Sequence, residues 1–237
     1  MRSPRWIGLL PAFVLATTLS AQPQPPTGPS SAFQLRLGGF FPAGDSDFWK
    51  ENEEVFTLDS GELNDFVLGL TFVAPVSNHV GVGFNLDFYD AESYSSYRDW
   101  TDDLGFPISH DTRLGIVPMI VDMRFYPGGQ SGLRGPRPAF YLGGGVGANY
   151  WVYEEEGDFL DFSWDPPEIF YGGFRDDGFA FAAQALAGVE LPLGPRWNAL
   201  FEARYTWSEA ELGGDFAGLG TLDLSGLAVY AGFGVRF

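Results

Sequence analysis

Two histidines, His79 and His110, are the side chains best suited to general acid–base chemistry near neutral pH. His110 lies in the run Ser109-His110-Asp111. Neighbouring residues of an extended strand point to opposite faces, so three consecutive polar residues do not form a catalytic triad. No phosphate-binding glycine loop or zinc-binding spacing is present in the sequence. We therefore expect no enzyme, catalytic residue, cofactor or bound metal, and we place His110 in a surface loop.

A second group of candidate residues consists of charged side chains inside otherwise apolar segments. They alternate with apolar residues, so they share one face of each extended segment. This lumen charge cluster comprises Arg36, Asp87, Asp122, Arg124, Glu190, Glu202, Arg204 and Arg236. If that face lines an interior, the charges must pair, because an unpaired buried charge costs several kcal/mol. A salt-bridge plug is the favoured interpretation, and a gate or proton path is the alternative.

A third group of candidates consists of acidic and aromatic residues in the long polar segments between the apolar ones. These segments lie near residues 43–62, 90–112, 154–177 and 208–223. They contain 26 of the 31 acidic residues, including the runs 51–54 and 154–158, whose carboxylates could bind Ca²⁺ or Mg²⁺. No EF-hand spacing is present, so solvated acidic loops are the favoured interpretation. The aromatic residues of these loops either recognise a glycan or a protein, or let the strands continue above the membrane and pack the loops together, which we favour.

The elements that position these residues are strands, and the clearest one ends the chain. Residues 227–237 are apolar at every second position and small or polar between. In water such an unpaired strand would aggregate, whereas a closed barrel turns it towards lipid and pairs both its edges. It resembles the C-terminal strand of bacterial outer-membrane β-barrel proteins. This resemblance implies that Phe233, Val235 and Phe237 form the signal for barrel assembly.

Seven further segments alternate in the same way. They lie near residues 33–41, 63–74, 80–89, 114–126, 140–152, 179–191 and 197–207. Short turns are predicted at residues 75–78, 127–138 and 193–196, and long loops at residues 43–62, 90–112, 154–177 and 208–223. Short periplasmic turns that alternate with long extracellular loops are typical of outer-membrane barrels.

Proline and glycine modify this pattern locally. Pro118 has no backbone N–H to donate within its strand, so a bulge is expected there. Five glycines on the inner face are expected to make room for large side chains from facing strands. They are Gly143, Gly145, Gly147, Gly232 and Gly234.

Aromatic residues fall near both ends of the predicted strands, where a membrane protein meets the two lipid–water boundaries. These predicted girdles comprise Phe33, Phe41, Phe66, Phe72, Phe88, Phe125, Phe140, Tyr150, Phe179, Trp197, Tyr205, Trp207 and Phe237. A water-soluble barrel would alternate too, but with its apolar side inward and its charges outward. The inward row of arginines and acids therefore favours a membrane barrel.

The N-terminus and the composition agree with this interpretation. Residues 1–21 have two arginines, a short apolar run and small residues at the end, which is typical of a secretory signal peptide. A flexible leader is expected over residues 22–31, and the barrel over residues 32–237. The formal net charge of −18 argues against a nucleic-acid partner. The chain has no cysteine, which excludes disulfides.

The predicted fold class is all-β, an eight-stranded antiparallel up-and-down transmembrane β-barrel. The chain resembles the small eight-stranded outer-membrane barrels, namely the OmpA transmembrane-domain type and the OmpW-like proteins. This resemblance implies a location in the bacterial outer membrane, with membrane lipid and the barrel-assembly machinery as partners and divalent cations as a further candidate. The favoured function is structural or surface-recognising and non-enzymatic. The alternatives are a narrow OmpW-like channel for small or apolar solutes and, less favoured, a lipid-modifying barrel enzyme.

Overall fold

The computed structural model describes residues 30–130 and 137–237. The predicted signal peptide, residues 22–29 of the predicted leader and part of the turn at 127–138 lie outside the described residues. The strands are β1 Ala32–Pro42, β2 Asp65–Pro75, β3 Val80–Thr101, β4 Pro107–Phe125, β5 Ala139–Asp161, β6 Glu168–Pro192, β7 Trp197–Glu211, β8 Thr221–Asp223 and β9 Gly226–Arg236. One helix, α1, spans Asp47–Val55, and 3₁₀ turns occupy Ser60–Leu63 and Gly214–Phe216.

Eight of these strands form a closed ring. From β1 to β7 each ring strand pairs antiparallel with the next, and β9 pairs with both β7 and β1. The short β8 pairs only with the far end of β7. Within the ring itself, closure satisfies the backbone groups of each strand without leaving a free edge. The predicted eight-stranded antiparallel barrel is therefore confirmed. Within the two described ranges, no helix has the length and hydropathy that a membrane crossing requires.

The two faces of the ring differ sharply in polarity. In β1, Leu35 and Leu37 are 49% and 57% exposed, whereas Gln34 and Arg36 are fully buried. Eleven of the thirteen predicted girdle aromatics are exposed on the outside, and Tyr150 and Tyr205 are partly exposed. An apolar exterior around a charged interior is the reverse of a water-soluble barrel. This is the architecture of a barrel that spans a membrane.

Two of the four predicted long loops are strands in the structure. The β3–β4 ladder continues to Thr101 and Pro107, and the β5–β6 ladder continues to Asp161 and Glu168. Residues 90–112 and 154–177 thus form a four-stranded projecting sheet beyond the apolar band, joined by short turns. The assignment of these segments as loops is wrong, because the alternation continues with polar residues and glycine, which a search for apolar alternation misses. The favoured alternative, in which strands continue above the membrane, is correct for these two segments.

The bulge expected at Pro118 is also absent. Val117 pairs with Tyr150 and Met119 with Ala148, so the register against β5 is unchanged across the proline. The register against β3 is also the same on either side of it, although the pairing is interrupted at that point. Proline therefore removes a local contact with β3 without shifting the strand. The register of the β3–β4 pair shifts farther out, between residues 96 and 101.

The connection between β1 and β2 folds into the barrel mouth at the long-loop end. Helix α1 begins after Ser46, whose Oγ accepts a hydrogen bond from the Trp49 backbone N–H at 3.4 Å. Phe48 and Trp49 are buried, while the opposite side of the helix is polar. The Trp49 indole N–H donates to the Asp223 carbonyl at 3.1 Å, which anchors the helix. The mouth is thereby filled with apolar side chains.

We call this filling the aromatic cap. It consists of Phe48, Trp49, Leu58, Leu63, Tyr89, Leu114, Trp151, Tyr153, Phe216 and Leu222 with their buried neighbours. Phe48 meets Tyr153 edge to face, with ring centroids 5.4 Å apart. The favoured prediction that loop aromatics pack together is therefore correct for part of the set. Other loop aromatics, including Trp100 and Trp164, are exposed.

Candidate functional site

All eight residues of the lumen charge cluster are buried inside the ring. The structure brings them together in two groups. The larger group consists of Arg36, Asp87, Asp122, Arg124, Glu202 and Arg204. The smaller group is the pair of Glu190 and Arg236. Each group contains as many acids as arginines, so neither needs a further ion for neutrality.

Glu202 on β7 is the centre of the larger group. Its Oε1 accepts hydrogen bonds from Arg36 Nη1 and Arg204 Nε, each at 2.5 Å. Its Oε2 accepts from the Tyr141 hydroxyl at 2.7 Å and lies 3.4 Å from Nη1 of Arg124. One carboxylate thus contacts arginines from three walls of the barrel. Such hydrogen-bonded ion pairs are the arrangement that offsets the desolvation of buried charges.

The other two acids of this group complete the pairing. Asp87 accepts from Arg36 Nη2 at 2.7 Å and lies 3.5 Å from Nη1 of Arg204. Asp122 accepts from both Nε and Nη2 of Arg124, at 3.0 and 3.1 Å. The carboxylates therefore hold each guanidinium in a fixed orientation.

An uncharged residue, Asn85, links these pairs. Its Oδ1 accepts from Arg204 Nη2 at 2.7 Å, Arg124 Nη2 at 3.2 Å and Thr71 Oγ1 at 2.8 Å. Its Nδ2 donates to Asp122 Oδ2 at 2.7 Å. Sequence reasoning missed this residue because it searched for charges. Its position on the inner face between Gly83 and Asp87 was the available signal.

Tyrosine rings complete the surroundings of the arginines. The guanidinium carbon of Arg36 lies 4.7 Å from the ring centroid of Tyr230, and that of Arg204 lies 5.6 Å from the same ring. Arg124 lies 5.2 Å from the Tyr141 centroid. These distances are those of cation–π contacts, which are strongest in desolvated sites. Every arginine of the larger group therefore meets carboxylates on one side and a ring on another.

The smaller group lies towards the short-turn end of the barrel. Glu190 accepts from Arg236 Nη2 at 2.5 Å and from Gln34 Nε2 at 3.0 Å. The Tyr126 hydroxyl lies 3.5 Å from the same carboxylate. Gln34 also accepts, through its Oε1, from Arg124 Nη1 at 3.2 Å. The two groups are thus parts of one hydrogen-bonded ionic layer, and we use this name for both together.

A small cavity of about 20 Å³ separates the ionic layer from the aromatic cap. Asp87, Tyr89, Asn149, Gln184 and Thr206 are among the residues that line it. Its volume suits a single water molecule. Side chains therefore occupy nearly all of the lumen at this level.

Glycines leave space for the arginines, but not in the way the sequence predicted. A Cβ on Gly69 would lie 2.9 Å from Arg36 Nη2, so this glycine is needed for the ion pair. For Gly143, Gly145 and Gly147 the nearest atoms belong to the backbone of β4, and not to rings from facing strands. A Cβ on Gly234 would meet the Asn198 side chain of β7, and one on Gly232 would meet β1 and lie 3.0 Å from Arg36 Cγ. Gly232 therefore does leave room for an arginine, although from the neighbouring strand. For the other four the expectation was wrong, because the pleat brings adjacent strands close on the concave side.

His110 lies on the inner face of β4 and is not in a surface loop. Its ring stacks on Phe159 with centroids 5.0 Å apart and meets Phe56 edge to face at 4.5 Å. Ser95 Oγ lies 3.0 Å from its Nε2. Burial lowers the pKa of His110 from 6.5 to about 4. The sequence interpretation was wrong because the strand extends to Pro107. His79 lies exposed at the turn between β2 and β3.

The acidic runs do not gather into a metal site within the described ranges. There, no group of three or more histidine or acidic side chains has an arrangement that could hold a metal ion. Glu154 pairs instead with Arg113 at 3.1 Å. Glu155 is buried and accepts from the Tyr153 hydroxyl at 2.6 Å. Binding of Ca²⁺ or Mg²⁺ at the loops stays the less favoured alternative to solvated acidic loops.

Solved structures with the same architecture exist in several bacteria. The N-terminal β-barrel domain of OprF from Pseudomonas aeruginosa is 11% identical, with 89% of this chain and 99% of that chain covered and a TM-score of 0.39. Neisserial surface protein A is 11% identical over 87% and 96% of the two chains, with a TM-score of 0.47. A major outer membrane protein from Thermus thermophilus is 12% identical over 87% and 99%, with a TM-score of 0.46.

The fold is that of the small outer-membrane β-barrels. The closed ring of eight antiparallel strands itself confirms the fold class predicted from the sequence. No protein-family model matches the chain, and no curated protein matches it significantly. At this level of identity the comparison concerns the arrangement of strands, and the activity must be inferred from the residues themselves.

Proposed function

We propose that this protein is a non-enzymatic barrel of the bacterial outer membrane, with a closed lumen and a structural or surface-recognising role. The apolar exterior supports the membrane location, since a ring with exposed leucine and phenylalanine needs lipid around it. Outer-membrane lipid and, through Phe233, Val235 and Phe237, the barrel-assembly machinery are its proposed partners. The short-turn end then faces the periplasm, and the projecting sheet faces the outside.

The observation that carries the closed lumen is the contact of Glu202 with arginines from β1, β4 and β7. An eight-stranded barrel is only wide enough for side chains to fill its interior. Here the fillers are ion pairs that tie opposite walls together, so moving any one of them exposes unpaired buried charge. A gate built from this layer would have to break several contacts at once.

The aromatic cap provides a second closure. It lies between the ionic layer and the long-loop end, with Trp49 fully buried at its centre. A solute that entered from outside would meet apolar packing first and ion pairs second. This arrangement supports a plug over the alternative of a narrow channel for small or apolar solutes.

Conductance of the purified protein in planar bilayers tests the proposal. We expect no steady conductance for the wild type, nor for Glu202→Ala or Trp49→Ala alone, because each leaves one closure intact. The double variant is expected to conduct, once its folding is checked by circular dichroism. Glu51→Ala with Glu54→Ala, on the exposed side of α1, is the matched control. Steady conductance of the wild type would overturn the closed lumen.

The non-enzymatic part of the proposal has its own test. His110, Ser95 and the Phe159 ring are buried and Phe56 is partly buried, so no substrate reaches them without opening the projecting sheet. We expect no hydrolysis of outer-membrane lipids or of peptides by the purified protein. Hydrolysis that His110→Ala abolishes would contradict the proposal.

A further inference from the structure

The two tips of the projecting sheet expose large apolar side chains that meet each other. Trp100 and Phe162 come from different hairpins, and their rings contact edge to face with centroids 5.6 Å apart. With Leu104, Phe106 and Trp164 they form what we call the tip patch. Leu104 is 81% exposed, and Phe106 and Trp164 are each 63% exposed. Clustered exposed apolar residues at one place mark an interaction surface.

A row of charges separates the tip patch from the apolar band of the barrel. Arg113 pairs with Asp90 at 2.6 Å and with Glu154 at 3.1 Å. Arg175 pairs with Glu154 and lies 3.4 Å from Asp177. These side chains lie on the outer face of β3 to β6. They lie between the tips and the aromatic girdle at the long-loop end of the barrel. The tip patch is therefore outside the hydrocarbon region, and membrane lipid around the barrel does not cover it.

The turns that carry the patch are fixed in position. The Asp102 carboxylate accepts backbone N–H bonds from Leu104 at 2.9 Å and from Phe106 at 2.7 Å. Asp161 accepts from the Ser163 N–H at 2.9 Å in the other hairpin. A surface held in place before binding loses less conformational entropy when a partner docks.

Acids far outnumber basic residues around the patch. The two tips contain Asp99, Asp102, Asp103, Asp158, Asp161, Asp165 and Glu168. Against these seven acids, residues 98–112 and 158–174 contain one basic residue that is charged at neutral pH, Arg98, whose Nε donates to the Glu53 carbonyl at 2.7 Å. This excess of negative charge next to exposed tryptophan rings fits a partner that is positive and partly apolar. Anionic lipid surfaces and acidic polysaccharides carry the wrong charge for it.

We propose that the tip patch binds an arginine- or lysine-rich, partly apolar segment of a partner protein. Its cations lie over the faces of Trp100 and Trp164 and pair with the surrounding carboxylates, while its apolar side chains contact Leu104 and Phe106. The inference rests on the proposed function, because a partner reaches the tips only if the long-loop end faces outward.

The test uses the full chain in nanodiscs of phosphatidylcholine and a fluorescein-labelled peptide of three Arg-Leu-Arg-Phe repeats. Fluorescence anisotropy should report binding whose affinity falls by roughly tenfold or more between 50 and 300 mM salt, because salt screens the several ion pairs that contribute to it. Empty nanodiscs and the same peptide with glutamate for arginine should not bind. Equal binding of both peptides, or binding of neither, would overturn the inference.

Variants then locate the site. Phe106→Ser with Trp164→Ser, and separately Asp103→Asn with Asp165→Asn, should each weaken binding about tenfold or more, since each removes several contacts. All four side chains are exposed, so the fold should persist. Glu51→Gln with Glu54→Gln removes two exposed charges from α1 and should leave the affinity unchanged. Equal loss in this control would mean general electrostatic attraction and would overturn the tip patch as the site.

A separate measurement tests the orientation. The chain has no cysteine, so Ser163→Cys introduces a single thiol at the tip. A membrane-impermeant maleimide should label it in intact cells. Labelling without peptide binding would overturn the inference and leave the proposed orientation standing. Absence of labelling, with labelling restored after lysis, would overturn the orientation and with it the access of a partner.

Discussion

Arg124 on β4 and Glu202 on β7 lie 3.4 Å apart across the barrel, although β5 and β6 separate their strands in the sheet. The same carboxylate also meets Arg36 of β1 and Arg204 of its own strand. The lumen is therefore tied together by one acid that three arginines share. Loss of this acid should affect stability more than loss of any exposed acid.

Glu202→Gln should lower the free energy of unfolding by about 3–5 kcal/mol, because it removes the negative charge that three buried arginines share. Urea-induced unfolding in detergent, followed by tryptophan fluorescence, measures the change. Glu209→Gln, on the exposed side of the same strand, is the matched control and should change stability by less than about 0.5 kcal/mol. Equal effects of the two variants would contradict the central place of Glu202.

Trp49→Ala should destabilise the aromatic cap by about 3–5 kcal/mol, because it removes a fully buried ring and leaves a cavity. The ring of strands is separately paired, so the barrel itself should stay folded. Hydrogen exchange should therefore accelerate in α1 and much less in β1. Lys50→Ala, on the exposed side of α1, should leave both rates unchanged. Unaltered exchange in α1 of the tryptophan variant would argue against a packed cap.

Gly69→Ala should destabilise the barrel by about 1–3 kcal/mol, because its new methyl group would lie 2.9 Å from Arg36 Nη2 and displace the ion pair. Gly115→Ala is the matched control, since the nearest atoms to its new Cβ lie 3.9 Å away. That variant should be neutral or slightly stabilising. Thermal unfolding of both in the same detergent gives the comparison, and a Gly69 variant as stable as the control would refute the steric argument.

The projecting sheet should become less stable as pH falls from 6.5 to about 4. The pKa of His110 is lowered to about 4 by burial, so over this range the unfolded segment binds a proton that the folded one does not. The free energy of unfolding of the projecting sheet should fall by about 3 kcal/mol by the time the pH reaches about 4. Hydrogen exchange of the His110 and Ser95 amides measures it, with β1 amides as the internal reference.

His110→Phe provides the control for this pH dependence. The variant should lose the trend, because phenylalanine does not titrate and fits among the same rings. Glu155, buried on the neighbouring strand, has a pKa raised by burial, and its effect has the opposite sign. Tyr97, which also packs near His110, has a raised pKa and stays neutral over this range. A pH dependence that persists in the variant would assign it to groups other than His110.

The alternation of apolar and polar residues predicted much of the fold. Successive residues of a strand point to opposite sides, so the sequence of β1 places Leu35 and Leu37 on an apolar face and Gln34 and Arg36 on a polar one. The same rule placed the eight lumen charges inside before any strand pairing was known. It failed where the outward residues ceased to be apolar, so residues 90–112 and 154–177 were assigned to loops.

The sequence by itself thus determined the closed barrel and the burial of charge, since both follow from apolar residues that recur at every second position of each strand. Only the tertiary structure decided that Glu202 meets Arg124, that α1 folds into the mouth and that His110 is enclosed by Phe56 and Phe159. These contacts depend on the stagger of strands around the ring and on how a long connection packs. No local pattern encodes distances between residues that are far apart in the chain.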